Sequence, residues 1–380
     1  MSESNRVPIF DGHNDTLLSL GTTGRSFWER GEQGHVDLPR AREGGLAGGF
    51  FAVFVRDPET PDAPPAPDPK LDTAGEEEPA GATGTAIRPE PDPAAISDRY
   101  TDAATMPPMM RTEYAQHRAL GIAGELFRLE AASDGAAKIV RTAAELRQCI
   151  ADGVFAMELH FEGAEPIDTD LNALEVFYQA GLRSLGLVWS RPNRFAHGVP
   201  FAFPSSPDTG PGLTDAGKEL VRACNRLRIM LDVSHLNEQG FWDLAALTDA
   251  PIVATHSNAH ALSPSSRNLT DKQLDAIRDS EGLVGVNFHV GFLRPDGARD
   301  PETPLRVIAD HVDYLVERLG PDKVAFGSDF DGATMPNALG DAAGLPRLVE
   351  TLRERGYDDA RLRSLGCENW LRVLERTWGA

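Results

Sequence analysis

Near the start of the chain an apolar run leads into a histidine and an aspartate two residues apart, His13 and Asp15 in Phe10-Asp11-Gly12-His13-Asn14-Asp15. Residues i and i+2 of a β-strand face the same side, so these two side chains can aim at one point and share a metal ion. On a surface strand the same pair would simply be solvated. The metal reading gains from four further ligand-type residues, Glu162, His235, His256 and Asp329, which stand at the ends of later apolar runs. A histidine such as His235 in Leu231-Asp232-Val233-Ser234-His235, taken alone, reads as a hydrogen-bonded core or surface residue. Six coincidences at strand ends reverse that reading.

Six side chains exceed the three protein ligands of a mononuclear catalytic zinc site and suit two ions sharing a carboxylate, for which Glu162 is the natural bridge. Two ions ~3.5–4 Å apart can pin a hydroxide between them and lower the pKa of that water toward ~7, giving a nucleophile at neutral pH. The implied reaction class is metal-assisted hydrolysis. In Gly327-Ser328-Asp329-Phe330-Asp331-Gly332 both aspartates can face inward, or Asp331 can cap the following turn. Strand position selects Asp329.

Eight apolar, β-branched runs can carry these residues: Val7 to Phe10, Gly48 to Val55, Val154 to Phe161, Ser184 to Trp189, Ile229 to Val233, Ile252 to Thr255, Leu283 to Phe288 and Val324 to Gly327. Helical spacing follows most of them, as in Thr214 to Leu227 and Thr303 to Leu319. Alternating strand and helix in eight units predict an α/β fold, a closed (β/α)8 TIM barrel, whose catalytic groups sit at the C-terminal strand ends. One barrel domain is expected over residues 1–380. From Arg56 to about Met110 the chain is acidic and rich in proline, as in Glu76-Glu77-Glu78-Pro79, which predicts a long surface insertion after the second strand or a lid over the site.

Of 380 residues 41% are hydrophobic, ample for a large core, and the formal net charge is −21. Such a balance disfavours a nucleic-acid partner and an anionic membrane surface. Cys149, Cys224 and Cys367 are widely spaced and odd in number, so no disulfide framework is expected. The opening residues lack the basic-then-apolar pattern of a secretory signal, and no run approaches the ~18 apolar residues of a membrane span. A soluble cytoplasmic protein is expected.

With these motifs assembled, the chain resembles the membrane (renal) dipeptidase-like metallopeptidases, family M19 among the amidohydrolase-type barrels. Asp11-Gly12-His13-Asn14-Asp15 resembles the family's opening metal motif, and Glu162-Gly163 its bridging glutamate. Val233-Ser234-His235 and Thr255-His256-Ser257-Asn258-Ala259 resemble its later histidine motifs, and Gly327 to Gly332 its final aspartate motif. The likeness runs from Asp11 to the Gly366-Cys367-Glu368-Asn369-Trp370-Leu371 stretch, the acidic insertion excepted. It implies two Zn2+ per chain, one held by His13, Asp15 and Glu162 with Asp329 close by, the other by Glu162, His235 and His256. It further implies that Arg267, which by sequence alone reads as a surface arginine, binds a substrate carboxylate, a bidentate match for a guanidinium fork. Asp329 is then the proton shuttle to the leaving amine. Dimers are common in the family, so a homodimer is possible.

The chain departs from the family at two places: after the fourth strand a substrate-contacting histidine is replaced by Trp189 in Leu187-Val188-Trp189-Ser190, and after the bridging glutamate the Gly-His pair becomes Ala164-Glu165. Indole nitrogen only donates and cannot become a cation. Either Arg191, Asn193, Arg194 or His197 replaces the lost group, or Trp189 lines the pocket and the metals alone polarise the carbonyl. His160, two residues before Glu162, reads as a barrel-interior histidine or as a partner behind the ligands. His289 borders the barrel mouth and can touch substrate. The expected activity is hydrolysis of a dipeptide with a free C-terminal carboxylate. The alternatives are another small amide, an N-acyl amino acid or a lactam, and a barrel that binds without catalysis.

Overall fold

The computed structural model describes residues 6–57, 101 and 106–379. Nine parallel strands make one sheet: β1 (Ile9–Asn14), β2 (Leu46–Val53), β3 (Ala137–Ile139), β4 (Phe155–Glu162), β5 (Leu182–Gly186), β6 (Met230–Asp232), β7 (Val253–Ala254), β8 (Leu283–Val286) and β9 (Val324–Phe326). The order β1-β2-β4-β5-β6-β7-β8-β9 follows the chain, the pattern of successive βα units. Asp15 N–H donates to Phe330 O at 2.8 Å and Asp329 N–H to His13 O at 3.0 Å, which closes the barrel between its first strand and the loop after its last. All eight expected strands are present. β3 was not expected, and at three residues it is too short to show a period. It pairs with Phe155 to Met157 of β4, below the point where β5 joins at Leu159.

Helices begin where the sequence supplies caps. Thr142, Thr214 and Asn237 each accept a hydrogen bond from a backbone N–H in the first turn of the helices Ala143–Asp152, Asp215–Leu227 and Glu238–Ala245. Among the described residues no helix is long and apolar enough to cross a membrane. Residues 58–100 and 102–105 of the acidic stretch lie outside the described residues, and with them the expected insertion or lid.

The barrel interior is layered. Alternate residues of β4 face inward, with Ala156 in an apolar layer, then Glu158, His160 and Glu162 stacked toward the mouth. The apolar layer holds Phe10, Phe50, Met230 and Trp370, the last brought in by the C-terminal helix Asn369–Trp378. Trp370 is fully buried, meets Phe50 edge-on at 5.0 Å between centroids, and donates from Nε1 to Phe326 O at 3.1 Å. Position 12 must be glycine, since a Cβ there would lie 2.4 Å from Thr255 O and 2.5 Å from the Trp370 ring.

β1 holds a second constraint. Phe10 and Gly12 face the interior, and strict alternation would turn His13 outward. A register irregularity between Asp11 and Asn14 shifts the parity, so that His13 faces inward as well. Truncating the plug in Trp370→Ala leaves a void beneath the polar layers and is expected to cost about 3–5 kcal/mol of stability, read by urea unfolding.

Candidate metal centre and substrate cleft

Each expected ligand sits at the C-terminal mouth. His13 lies within β1 and Glu162 ends β4, while His235, His256 and Asp329 follow β6, β7 and β9. Asp15 occupies the cap position of the helix Thr16–Thr23 yet makes no capping bond, and its Oδ2 faces His13 Nε2 at 3.5 Å. The two oxygens of Glu162 look in different directions. Oε2 lies 3.6 Å from His13 Nε2, whereas Oε1 lies 3.0 Å from His235 Nε2 and 3.7 Å from His256 Nε2. Asp329 joins His13 and Asp15 in a second group whose ligand atoms all lie within 4.8 Å of one another. His235 and Asp329 hold left-handed backbone conformations, φ 68° and 65°, rare for such residues and typical of strained functional positions.

Hydrogen bonds set the ring orientations. The Thr255 hydroxyl gives its single proton to Asp232 Oδ2 at 2.6 Å, so it must accept from His256 Nδ1 at 2.7 Å. His256 Nε2 is therefore the bare lone pair facing Glu162, the form in which imidazole binds metal. Ser190 Oγ pairs with His235 Nδ1 at 2.8 Å, and Asn287 Nδ2 donates to Asp329 Oδ2 at 2.8 Å. Sequence reasoning assigned no role to Ser190, Asp232, Thr255 or Asn287. An acidic residue inside the apolar run of β6 was the available signal, because a buried carboxylate needs a partner.

Both ring nitrogens of His13 and Oδ1 of Asp15 are buried without a hydrogen-bond partner. Leaving such groups unpaired is costly, and a divalent cation held between His13 Nε2 and the carboxylates of Asp15 and Glu162 would answer Nε2 and the Asp15 oxygen together. The charge balance agrees. Burial pushes Glu162 well above the usual carboxylate range and raises Asp329 too. Burial opposes a charge on His13, but Glu162 and Asp15 outweigh it and lift His13 to about 10. Burial, with Arg267 and His13 nearby, holds His235 and His256 neutral. The cluster draws positive charge toward its carboxylates while keeping two imidazoles unprotonated, which fits divalent ions.

Over this centre opens a cleft lined by Asp15, Glu162, His235 and Asp329 together with Trp189, His289 and Arg56. His289 Nδ1 faces Thr334 O at 3.3 Å, leaving Nε2 without a partner, and burial first holds its pKa near 3. Asn193, expected to touch substrate, is not among the lining residues. Its amide donates to Leu187 O at 2.7 Å, its Oδ1 accepts from the N–H groups of Phe195 and Ala196, and it also bonds the buried Glu165 side chain, so its hydrogen bonds serve the loop structure. Arg267 is no surface arginine. It is 3% exposed, donates to Ser257 Oγ at 2.9 Å and His256 O at 3.1 Å, and keeps an unpartnered Nε behind the Phe292 ring.

None of the other replacements for the missing histidine lines the cleft. Arg194 bonds Thr112, while Arg191 is held by Asp57 at 2.5 Å and Val55 O at 3.2 Å behind Trp189. Asp331 is engaged with Thr16, Arg25 and the His35 N–H instead of the ligand group. His160 is a buried interior histidine bonded to Ser184 Oγ at 2.8 Å, its ring edge-on to His13.

Because Asp232 fixes the His256 tautomer through Thr255, Asp232→Asn is expected to weaken metal affinity about 10–100-fold, measured by competition against a chelator. An unchanged affinity would show that the orientation is set elsewhere.

The family model for membrane dipeptidase, peptidase family M19, matches residues 4–378. A Klebsiella pneumoniae protein encoded in the pqqA 5′ region, itself uncharacterized, is 54% identical over 253 residues, 67% of this chain and 93% of its own. Among solved structures, the M19 metallopeptidase dipeptidase AC is 49% identical, with 98% of this chain and 99% of that one covered and a TM-score of 0.86. A Rhodobacter sphaeroides metallopeptidase, liganded with a phosphinate mimic of the dipeptide L-Ala-D-Ala, is 50% identical with 98% and 100% covered and the same TM-score. A family pattern that spans nearly every residue, on a barrel whose mouth gathers imidazoles around a shared carboxylate, means that this chain belongs to peptidase family M19, the metal-dependent dipeptidases.

Proposed function

We propose that this M19 enzyme is a two-zinc dipeptidase acting on dipeptides with a free C-terminal carboxylate, L-Ala-D-Ala among the candidates. The observation that carries the reading is the split orientation of Glu162, one oxygen toward His13 and the other toward His235 and His256. In this reading His13, Asp15 and Glu162 would hold one ion with Asp329 close by, and Glu162, His235 and His256 would hold the other. Zinc held by these residues would acidify a water to a pKa of about 7, giving a hydroxide nucleophile at neutral pH, and would polarise the scissile carbonyl.

The protein groups do the rest. Asp329, its Oδ2 fixed by Asn287 and its carboxyl raised by burial, takes the proton of the attacking water at its carboxylate and delivers it to the departing amine nitrogen. Arg267 supplies the positive charge that selects a free carboxylate. Burial lowers its pKa to about 10, so it stays charged at neutral pH. His289, with Nδ1 turned to a carbonyl, offers an acceptor at Nε2 to a substrate N–H or ammonium.

Metal-stripped protein should regain hydrolysis of L-Ala-D-Ala on titration with zinc and saturate at two equivalents. Full activity at one equivalent would overturn the two-ion reading, and turnover of N-acyl amino acids or lactams with dipeptides untouched would overturn the substrate assignment. Asp329→Asn is expected to lower kcat by about 10²–10⁴ with a much smaller change in KM, measured by steady-state kinetics.

A further inference from the structure

Five apolar side chains, Leu18, Phe54, Trp189, Phe201 and Phe292, form a hydrophobic cluster apart from the two that build the barrel and its helical shell, and all five line the cleft. They come from four segments at the mouth, the connections after β1, β2, β5 and β8, with Trp189 and Phe201 both from the third. The rings make a continuous strip, with centroids 5.0 Å apart for Phe54 and Trp189, 5.5 Å for Trp189 and Phe201, and 6.0 Å for Phe201 and Phe292. That strip passes His235, 6.0 Å from Trp189 and 6.2 Å from Phe201. At its far end Phe292 stands 4.6 Å from the His289 ring and 5.7 Å from the Arg267 guanidinium.

From this arrangement we infer that the enzyme prefers dipeptides with a large apolar or aromatic side chain, received by this wall, an inference that rests on the dipeptidase reading above. Apolar surface turned toward a water-filled cleft is unfavourable until something apolar covers it. An ionised side chain pressed there would lose its hydration with no partner in return. Among the described lining residues Arg56 alone carries a guanidinium or ammonium, so an acidic side chain is the rival.

The strip is also held in place from behind. The Arg191 guanidinium lies 5.2 Å from the Trp189 ring and 5.7 Å from Phe54, anchored by Asp57 at 2.5 Å and facing Glu165 at 3.6 Å. Glu165 and Trp189 both stand where the family resemblance expects histidine. Together the two replacements substitute an apolar face and its buried brace for imidazoles, which fits side-chain selection rather than a lost catalytic donor.

The test is kcat/KM of the zinc-loaded enzyme on two dipeptide series, one varying each position through Ala, Leu, Phe, Asp and Lys. Leu or Phe at one position should exceed Ala by tenfold or more, the usual yield of a pocket filled by added methylenes. Trp189→Ala should shrink that ratio about tenfold, chiefly through KM, and Trp189→Phe should restore part of it. If Trp189→Ala does not fold, Phe201→Leu reads the same ratio. A flat profile from Ala to Phe, or preference for Asp or Lys at both positions, overturns the inference while leaving the dipeptidase reading intact. Failure to cleave any dipeptide overturns that reading and this one with it.

Discussion

Asp11 accepts two hydrogen bonds from Ser328, one from its backbone N–H at 2.6 Å and one from its hydroxyl at 2.7 Å, and so ties the first strand to the loop after the last. These residues are 317 positions apart. Around that tie the bonds from Asp15 to Phe330 O and from Asp329 to His13 O complete the closure. Without it His13 and Asp15 would stand at one edge of an open sheet and Asp329 at the other. Closure places all three within one ligand group, with Glu162 across the mouth.

What closure assembles is electrostatically expensive. Three carboxylates and three imidazoles share a buried space in which desolvation disfavours the charged forms of Glu162, Asp329 and His235. The polar column beneath adds to the burden, since Glu158, pushed up to about 8 by burial, and His160, pushed down to about 3, are both held near neutrality. Ser184 links them, its hydroxyl donating to Glu158 Oε2 and accepting from His160 Nδ1, each at 2.8 Å. The apolar layer around Trp370 lies below this column and separates the site from the bottom of the barrel. Stability is therefore concentrated in the lower barrel and the helical shell, and strain, including the left-handed His235 and Asp329, at the mouth.

The aromatic wall gives this site an asymmetric environment. Ligand side chains reach the cleft from the strand ends, and rings from the connections after β2, β5 and β8 complete its lining. Such a division lets barrel loops vary in what they recognise while the strand ends keep the chemistry, a familiar property of the (β/α)8 architecture.

The sequence alone was enough for the eight barrel strands and for the residues that meet at the mouth. Both signals are local: apolar runs of strand length, and a histidine or carboxylate out of place at the end of most of them. It could not give the parity shift in β1, because a register irregularity is set by the neighbouring strand, nor the three-residue β3. Tertiary structure alone decided that Arg267 is buried, that Asn193 serves its own loop, and that Asp232 acts through Thr255 to fix the His256 tautomer. It also decided that Leu18, Phe54, Trp189, Phe201 and Phe292 form one surface. Nothing in their spacing unites them, since they converge only when the sheet curls shut and the loops of separate strands are brought to the same rim.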